Sequence, residues 1–322
     1  MKSIPLGLIA AAVLAFAPLP GLAQSFPDKP ITFVVPFAAG TATDQIARAL
    51  GNAITAETKQ PVVIDNKAGA SGFIASQQVA KAAADGYTVL ITTNTTHAAN
   101  EHLFKKLPYD PVNDYAPVAA LGKGGQIMVV NPAFPARTVA EFVALAKKEP
   151  GKYSFGSGSS SSRMAGELLQ QLAGIQLLHV PYKSNTLAVT DLLGGQIHMM
   201  ITDTATGLPQ VKAGKLRALG VSGAKRSPLA PDVPTIAEAG VKGYEMGYWF
   251  AAYAPAKTSP AVVRRLNELL VKAARSDAAK AAFYEPTGTE VFTSSPEELA
   301  KFQATESQKW GRIVKAAGIE AE

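Results

Sequence analysis

From residue 31 onward, short apolar runs alternate with stretches whose apolar positions recur every three or four residues. ITFVVPF (31–37) reads as a strand, and the following TDQIARALGNAITAET places Ile46, Leu50, Ala53 and Ile54 on one helical face. PVVIDN (61–66), a helix from Ser71 to about Ala84 and the strand YTVLITT (87–93) continue the series. Two apolar runs, VAAL and IMVV, then flank Gly122-Lys123-Gly124-Gly125. A second series has a helix over Val139–Lys148, strand YSF (153–155), a helix from about Ser162 to Leu172 and strand LLHVPY (177–182). It goes on with helix 186–193, strand IHMMIT (197–202), a short helix near 208–213 and strand LRALGVS (216–222). YWFAAYA (248–254) returns as a strand before helices at 260–275 and about 296–317. Near-continuous apolar strands joined by helices imply parallel-rich sheets covered on both faces.

Length turns this pattern into two lobes, because about 300 residues exceed the usual reach of one core. We expect residues 24–122 to begin the first lobe, 123–225 to form the second, and 226–322 to rejoin the first. The crossings then fall at the GKGG segment and at SGAKRSP (222–228). Before these lobes, MKSIPLGLIAAAVLAFAPLPGLAQS has an early Lys2, a short apolar run broken by Pro18 and Pro20, and Gly21-Leu22-Ala23 ahead of Gln24. This is the pattern of a secretory signal peptide cut after Ala23, and the run is too short and proline-broken to span a bilayer comfortably. The expected compartment is the periplasm.

Composition narrows the chemistry. The chain has no cysteine, which excludes disulfides, zinc-thiolate sites, a cysteine nucleophile and a lipid-anchored N-terminus. Its formal charge of +6 falls to +5 once Lys2 is removed, and the basic residues are scattered. That argues against nucleic acid and mildly favours small anionic partners. His97 and His102 are five apart and do not share a helical face, so no metal site is expected. His179 and His198 lie in apolar strands. A triad of Ser157, His97 and Asp203 can be drawn, but no spacing selects it. No catalytic residue and no cofactor are expected.

The Gly-Ser tract at Gly156–Ser162 reads as a flexible linker by composition alone. Its position between a predicted strand and a predicted helix, whose Met164, Leu168, Leu169 and Leu172 share a face, favours an anion cradle instead. Four further turns rich in small polar residues also follow predicted strands: PFAAGTATD (36–44), TTNTTHAAN (92–100), PYKSNT (181–186) and TDTATG (202–207). Ligands of open α/β sheets sit at the carboxyl ends of strands, so the five turns together imply a binding cleft. Asp44 falls in the first turn of its helix, where capping is the simpler role.

FPDKPITFVVPFAAGTATDQIARAL, IDNKAGASGFIASQQVAKAAADGYTVLI, VPYKSNTLAVTDLLGGQIHMMITD and LPQVKAGKLRALGVS resemble the Bug family, the extracytoplasmic solute receptors of tripartite tricarboxylate transporters. The resemblance covers essentially the whole mature chain. It implies an α/β, two-lobed periplasmic binding protein of the type II, Venus-flytrap kind. It further implies a ligand that is a small organic mono- or dicarboxylate, aliphatic or aromatic, and delivery to membrane transporter subunits. A monomer is expected. The family's first loop corresponds to Phe37, Ala39, Gly40, Thr41, Thr43 and Asp44, and its second to Thr93, Thr95, Thr96 and His97. Its serine-rich loop corresponds to Ser157, Gly158, Ser159, Ser160 and Ser161, and its later contacts to Tyr182 and Asp203. Thr41 stands where many members have a second glycine, Arg163 where many have histidine, and Ser184-Asn185 where glycine often follows the lysine. The competing readings are an amino-acid receptor or a sensor-docking receptor of the same fold, and an exported serine hydrolase.

Overall fold

The computed structural model describes residues 26–316 and 318–321, so the expected leader and its cut after Ala23 lie outside the described residues. Among the described residues nine strands follow one another: β1 (Ile31–Val35), β2 (Val62–Asn66), β3 (Thr88–Thr93), β4 (Tyr115–Val130), β5 (Ser154–Ser157), β6 (Leu178–Pro181), β7 (Met199–Asp203), β8 (Arg217–Val221) and β9 (Gly247–Pro255). They are ordered β2-β1-β3-β9-β4-β7-β5-β6, with β8 also on β4. The pairs β1–β2, β1–β3, β5–β6 and β5–β7 are parallel, while β4 and β9 run antiparallel to their neighbours.

The sheet has two halves because β4 changes partners along its length. Its Tyr115–Gly125 stretch pairs with β9, and Gln126–Val130 pairs with β7. The expected runs VAAL and IMVV are thus one 16-residue strand passing straight through the glycines. Gly124 serves packing and not a turn: a Cβ there would lie 2.5 Å from the Tyr248 hydroxyl. The second crossing also differs from expectation. Val221 N–H donates to the Pro234 carbonyl, Ile236 N–H to that of Val221, and Met246 N–H to that of Ser222, at 2.8–2.9 Å. Residues 223–246 are therefore an excursion that returns to Ser222, and the chain re-enters the first half at Gly247, opposite Gly125.

Helices cover both faces: α1 (Ala42–Thr58), α2 (Phe73–Ala80), the short α3 (Asn100–Leu103), α4 (Val139–Lys148), α5 (Ser160–Ala173), α6 (Asn185–Leu193), α7 (Thr204–Lys212), α8 (Pro260–Arg275) and a C-terminal helix, Pro296–Ala316. In α1, Ile46, Leu50 and Ile54 recur at a spacing of four and are buried with Ile31 and Phe33 of β1 against Leu266 and Leu270 of α8. The second half has its own apolar cluster, with Ile127 and Val129 of β4 against Ala188 and Leu192 of α6. Helix α2 is shorter than expected, because Ser71 (φ 51°) and Gly72 (φ 87°) are left-handed just before it. Helix α7 starts earlier, directly after β7, with Pro209 inside it and not at its first turn. TTNTTHAAN, expected as a turn, ends β3 at Thr93 and is helical beyond it: a π-turn over Thr95–Ala99 leads into α3.

Candidate functional site

All five polar turns meet between the halves of the sheet. A cavity of about 40 Å³ is lined from the first half by Phe37, Thr41, Ala42, Thr43, Thr93, Asn94, Tyr248 and Phe250, and from the second by Gln126, Gly158, Ser159, Ser161, Asn185 and Asp203. An adjoining chamber of about 390 Å³ shares Phe37, Gly158 and Ser159 with it, and adds Ser157, Ser160, Arg163, His179, Tyr182 and Lys183. Eight sequence-predicted residues therefore face the inner cavity, and Ser157, Ser160 and Tyr182 face the outer chamber.

The geometry at the start of α1 follows from its local sequence. Gly40 takes a left-handed φ of 80°, and its N–H donates to Asp44 Oδ2 at 2.9 Å. The Thr41 hydroxyl donates backwards to the Ala38 carbonyl at 2.7 Å, so no side chain caps the helix. The first N–H groups of this 17-residue helix, at Ala42 and Thr43, are thereby left beside the cavity with the positive end of its dipole. Helices α4, α5, α6, α7 and α8 are instead capped by Thr138, Ser159, Ser184, Asp203 and Ser259.

The serine tract is an ordered turn. Ser159 and Ser162 form a reciprocal capping box at the head of α5. Two of its hydroxyls join the halves: Ser161 Oγ lies 3.2 Å from Thr95 Oγ1, and Ser160 Oγ donates to Asn100 Oδ1 at 2.7 Å. Gly158 N–H donates to Asn185 Oδ1 at 3.0 Å. The two acids have assigned partners as well. Asp44 binds Arg48 and Asn66; burial opposes its ionisation, but these partners and Gly40 N–H hold its carboxyl below the usual range. Asp203 caps α7, its Oδ1 accepting from Thr206 N–H at 2.8 Å and the Thr206 hydroxyl at 2.7 Å. Its Oδ2 accepts from Asn185 Nδ2 at 3.0 Å and the Thr202 hydroxyl at 3.4 Å. Burial, and then the Asp203 charge, push the Tyr248 phenol up to about 12, so it stays protonated near Thr204 (3.1 Å) and Thr289 (3.0 Å).

The remaining expected residues reach neither cavity. Ala39 is exposed, while Gly40 and Asp44 organise the turn behind it. Thr95 braces Ser161, and Thr96 bonds Thr92 and His97. His97 is in the core, stacked on Tyr253 with ring centroids 3.8 Å apart, and burial lowers its pKa to about 3. The drawn triad is not assembled: Ser157 Oγ pairs with His179 Nε2 at 2.7 Å, and Asp203 is occupied by α7. Sequence reasoning missed Ala42, Asn94, Gln126, Asn185, Tyr248 and Phe250 as lining residues. Asn94 and Asn185 were within turns already singled out. Tyr248 and Phe250 carried no local signal, since only the pairing of β9 with β4 brings them here.

Among the described residues no cluster could hold a metal ion, and no helix is long and apolar enough to cross a membrane. A family model described as the tripartite tricarboxylate transporter family receptor matches residues 46–319. Similar solved structures include an R. palustris protein with adipate, 34% identical with a TM-score of 0.89, covering 92% of this chain and 100% of that one. The periplasmic binding protein BugD is 32% identical at a TM-score of 0.88, with the same coverage. MatC from Rhodopseudomonas palustris, with bound malate, is 30% identical at a TM-score of 0.85, covering 90% of this chain and 100% of that one. The chain belongs to the Bug family of tripartite tricarboxylate transporter receptors, which are periplasmic binding proteins for transport and not enzymes.

Proposed function

We propose that the cavity captures a small organic mono- or dicarboxylate between the two halves and presents it to the membrane subunits of the transporter. The observation that carries this is the uncapped start of α1 at the cavity wall, facing the turn that leads into α5. The contacts proposed are Phe37, Thr41, Thr43, Thr93, Gly158, Ser159, Ser161 and Asp203, joined by Ala42, Asn94, Gln126, Asn185 and Tyr248. Related proteins carrying adipate and malate support a carboxylate.

Neutral donors suffice energetically. A charge-assisted hydrogen bond contributes about 1.5–3 kcal/mol, and a helix N-terminus about 0.3–2 kcal/mol. Four or five such contacts, less the costs of ordering and desolvation, reach the roughly −8 kcal/mol of micromolar binding. Closure is a hinge motion about the paired strands β4 and β9 at Gly125 and Gly247, since only the closed state lets both halves touch the ligand. The mature chain acts as a monomer in the periplasm and begins at Gln24.

A thermal-shift panel of carboxylates, amino acids and sugars on the mature chain tests this reading. A carboxylate at about 100 times its dissociation constant should stabilise by about 2.7 kcal/mol, and small-angle scattering should then show a smaller particle. Stabilisation by sugars alone, or by none of the panel, overturns it. N-terminal sequencing of exported protein decides the cut after Ala23.

A further inference from the structure

Asn100 is fully buried at the start of α3, in the first half, and its amide makes three hydrogen bonds. Both Nδ2 hydrogens stay within that half, one going to the Ser71 carbonyl at 2.9 Å and one to the Tyr109 hydroxyl at 3.1 Å. Burial pushes the Tyr109 phenol up, so it keeps its proton and donates it to the Thr96 carbonyl at 2.8 Å. Its oxygen is thereby left to accept from Asn100. Two acceptors on one side fix which way round the amide lies. The carbonyl Oδ1 is turned to the second half, where the Ser160 hydroxyl donates to it at 2.7 Å.

We propose that Asn100 is a positioning residue for ligand capture: its carbonyl latches the second half through Ser160, so that the closed arrangement is populated before a ligand arrives. This rests on the hinge closure proposed above and is independent of the ligand's chemistry. Asn100 lines neither the inner cavity nor the outer chamber, so it acts through Ser160 and not on the ligand. The latch consists of protein groups alone, and its stabilisation is therefore available to the closed state with or without a ligand.

Both ends of the latch are held in place beforehand. Ser71 and Tyr109 hold the amide, and the capping box of Ser159 and Ser162 holds the first turn of α5, from which Ser160 projects. Little side-chain freedom is left to lose when the two meet. Ser161 and Thr95, 3.2 Å apart, add a second tie across the same boundary. When the halves swing apart, a displacement of about 1 Å takes a bond of 2.7 Å beyond hydrogen-bond range. Water then replaces each partner, so one such bond shifts the closed-to-open ratio by a factor of about 2–10. A receptor whose competent state is partly populated binds with an affinity scaled by that fraction. The latch thus raises affinity for every ligand alike, and selectivity is left to the cavity walls.

The chain has no cysteine, so Ile74→Cys and Leu187→Cys supply a pair of spin-label sites without competing thiols. Both residues are half exposed, one on α2 and one on α6, just past Gly72 and Lys183 of the outer chamber. Double electron–electron resonance on the ligand-free mature chain should show a shorter and a longer distance, for the closed and open states. Ser160→Ala and Asn100→Ala should each lower the short-to-long ratio about 2–10-fold. The double variant should lower it no further than the deeper single one, because both remove the same bond. Loss of global stability alone does not move this ratio. Ser160→Ala removes the crossing bond and leaves Asn100 in place, so it decides alone if Asn100→Ala does not fold. A parent without the shorter distance, a ratio unchanged by Ser160→Ala, or losses that multiply in the double variant overturns the latch. No acid enters the measurement, so failure of the carboxylate reading in the thermal-shift panel is a separate result.

Discussion

Asn185 donates from Nδ2 to Asp203 Oδ2 at 3.0 Å, while its own carbonyl accepts from Gly158 N–H at 3.0 Å and from the Ser162 hydroxyl at 3.0 Å. One amide thus ties the serine turn to the starts of α5, α6 and α7. Asn185→Ala breaks all three bonds and leaves Gly158 N–H unpaired at the cavity wall. We expect a loss of about 2–3 kcal/mol, read as a lower thermal midpoint, together with weaker ligand binding. Ser162→Ala removes one of the three together with its half of the capping box with Ser159, but it leaves Gly158 N–H paired and Asp203 held by Asn185, and should cost less. Equal midpoints for the two variants would show that Asn185 is not the tie.

A second prediction concerns close approach. At Gly158 an added Cβ would lie 1.9 Å from the Ser184 carbonyl carbon and 2.1 Å from Asn185 N, both of them backbone atoms. Neither can step aside without moving the start of α6. Gly158→Ala should therefore destabilise by more than about 2 kcal/mol and remove measurable binding. Gly194 is the control. Its φ is −78°, and the nearest atom to a new Cβ is 3.6 Å away. Gly194→Ala should stay within about 0.5 kcal/mol of the parent. Similar midpoints for both variants would refute the packing argument.

Whether a polar residue reaches the cavity depends on whether it stands at a strand end or on the inward face of a helical turn. PFAAGTATD, TTNTTHAAN, the serine tract and TDTATG all follow strands, and strand ends are where a parallel sheet opens, so their small polar residues reach the cavity without long-range knowledge. PYKSNT divides, sending Asn185 to the inner cavity and Tyr182 and Lys183 to the outer chamber. His97 is expected at the site because the resemblance places it in the family's second loop. The helical turn over Thr95–Ala99 instead carries its ring inward onto Tyr253, a residue of β9. Gln126 and Tyr248 were illegible for the complementary reason. They lie where the chain crosses between halves, and only the register Gly124↔Tyr248 and Gln126↔Asp203 brings them to the site. The run 222–228 is expected as a crossing, yet Ser222 holds Gln126 N–H and the Met246 carbonyl, each at 2.6 Å. Local composition cannot report such an excursion and return.

The third prediction is that Asp203 acts on α7 and not as a counter-charge for the ligand. Its oxygens accept four hydrogen bonds, two of them from Thr206. Asp203→Asn turns one acceptor into an N–H₂ group that must face the donors of Asn185, Thr202 or Thr206. That mismatch and the weakened cap should cost about 1–3 kcal/mol of stability. Affinity for a carboxylate ligand should fall by less than about tenfold, because no buried ion pair with the ligand is broken. A hundredfold loss of affinity at an unchanged thermal midpoint would mean that Asp203 contacts a cation on the ligand.

The last prediction follows from burying His97 as a neutral ring. Its Nδ1 meets the Thr96 hydroxyl at 2.8 Å, its Nε2 has no partner among the described residues, and burial lowers its pKa to about 3. In the unfolded chain the same ring titrates near 6.5. Above that value neither state binds the proton, and stability does not depend on this group. Between about 6.5 and 3 the unfolded state takes up a proton that the folded state refuses, so stability falls as the pH drops. At pH 4.5 the span is about two pH units, worth on the order of 3 kcal/mol. His97→Phe keeps the stack on Tyr253 and removes the titration. The Thr96 hydroxyl retains Thr92 Oγ1 at 2.6 Å, so the lost bond to the ring is a constant offset. Asp44, held below the ordinary carboxylate pKa, contributes its own loss at still lower pH, equally in both proteins. Urea unfolding followed by the fluorescence of the buried Trp249 and Trp310 should therefore give a parent-minus-variant stability difference that is flat from pH 8 to 7. That difference should shift in favour of the variant by about 2–3 kcal/mol at pH 4.5. A constant difference down to pH 4.5 would mean that the folded protein admits the proton, and that the ring is not sealed against Tyr253.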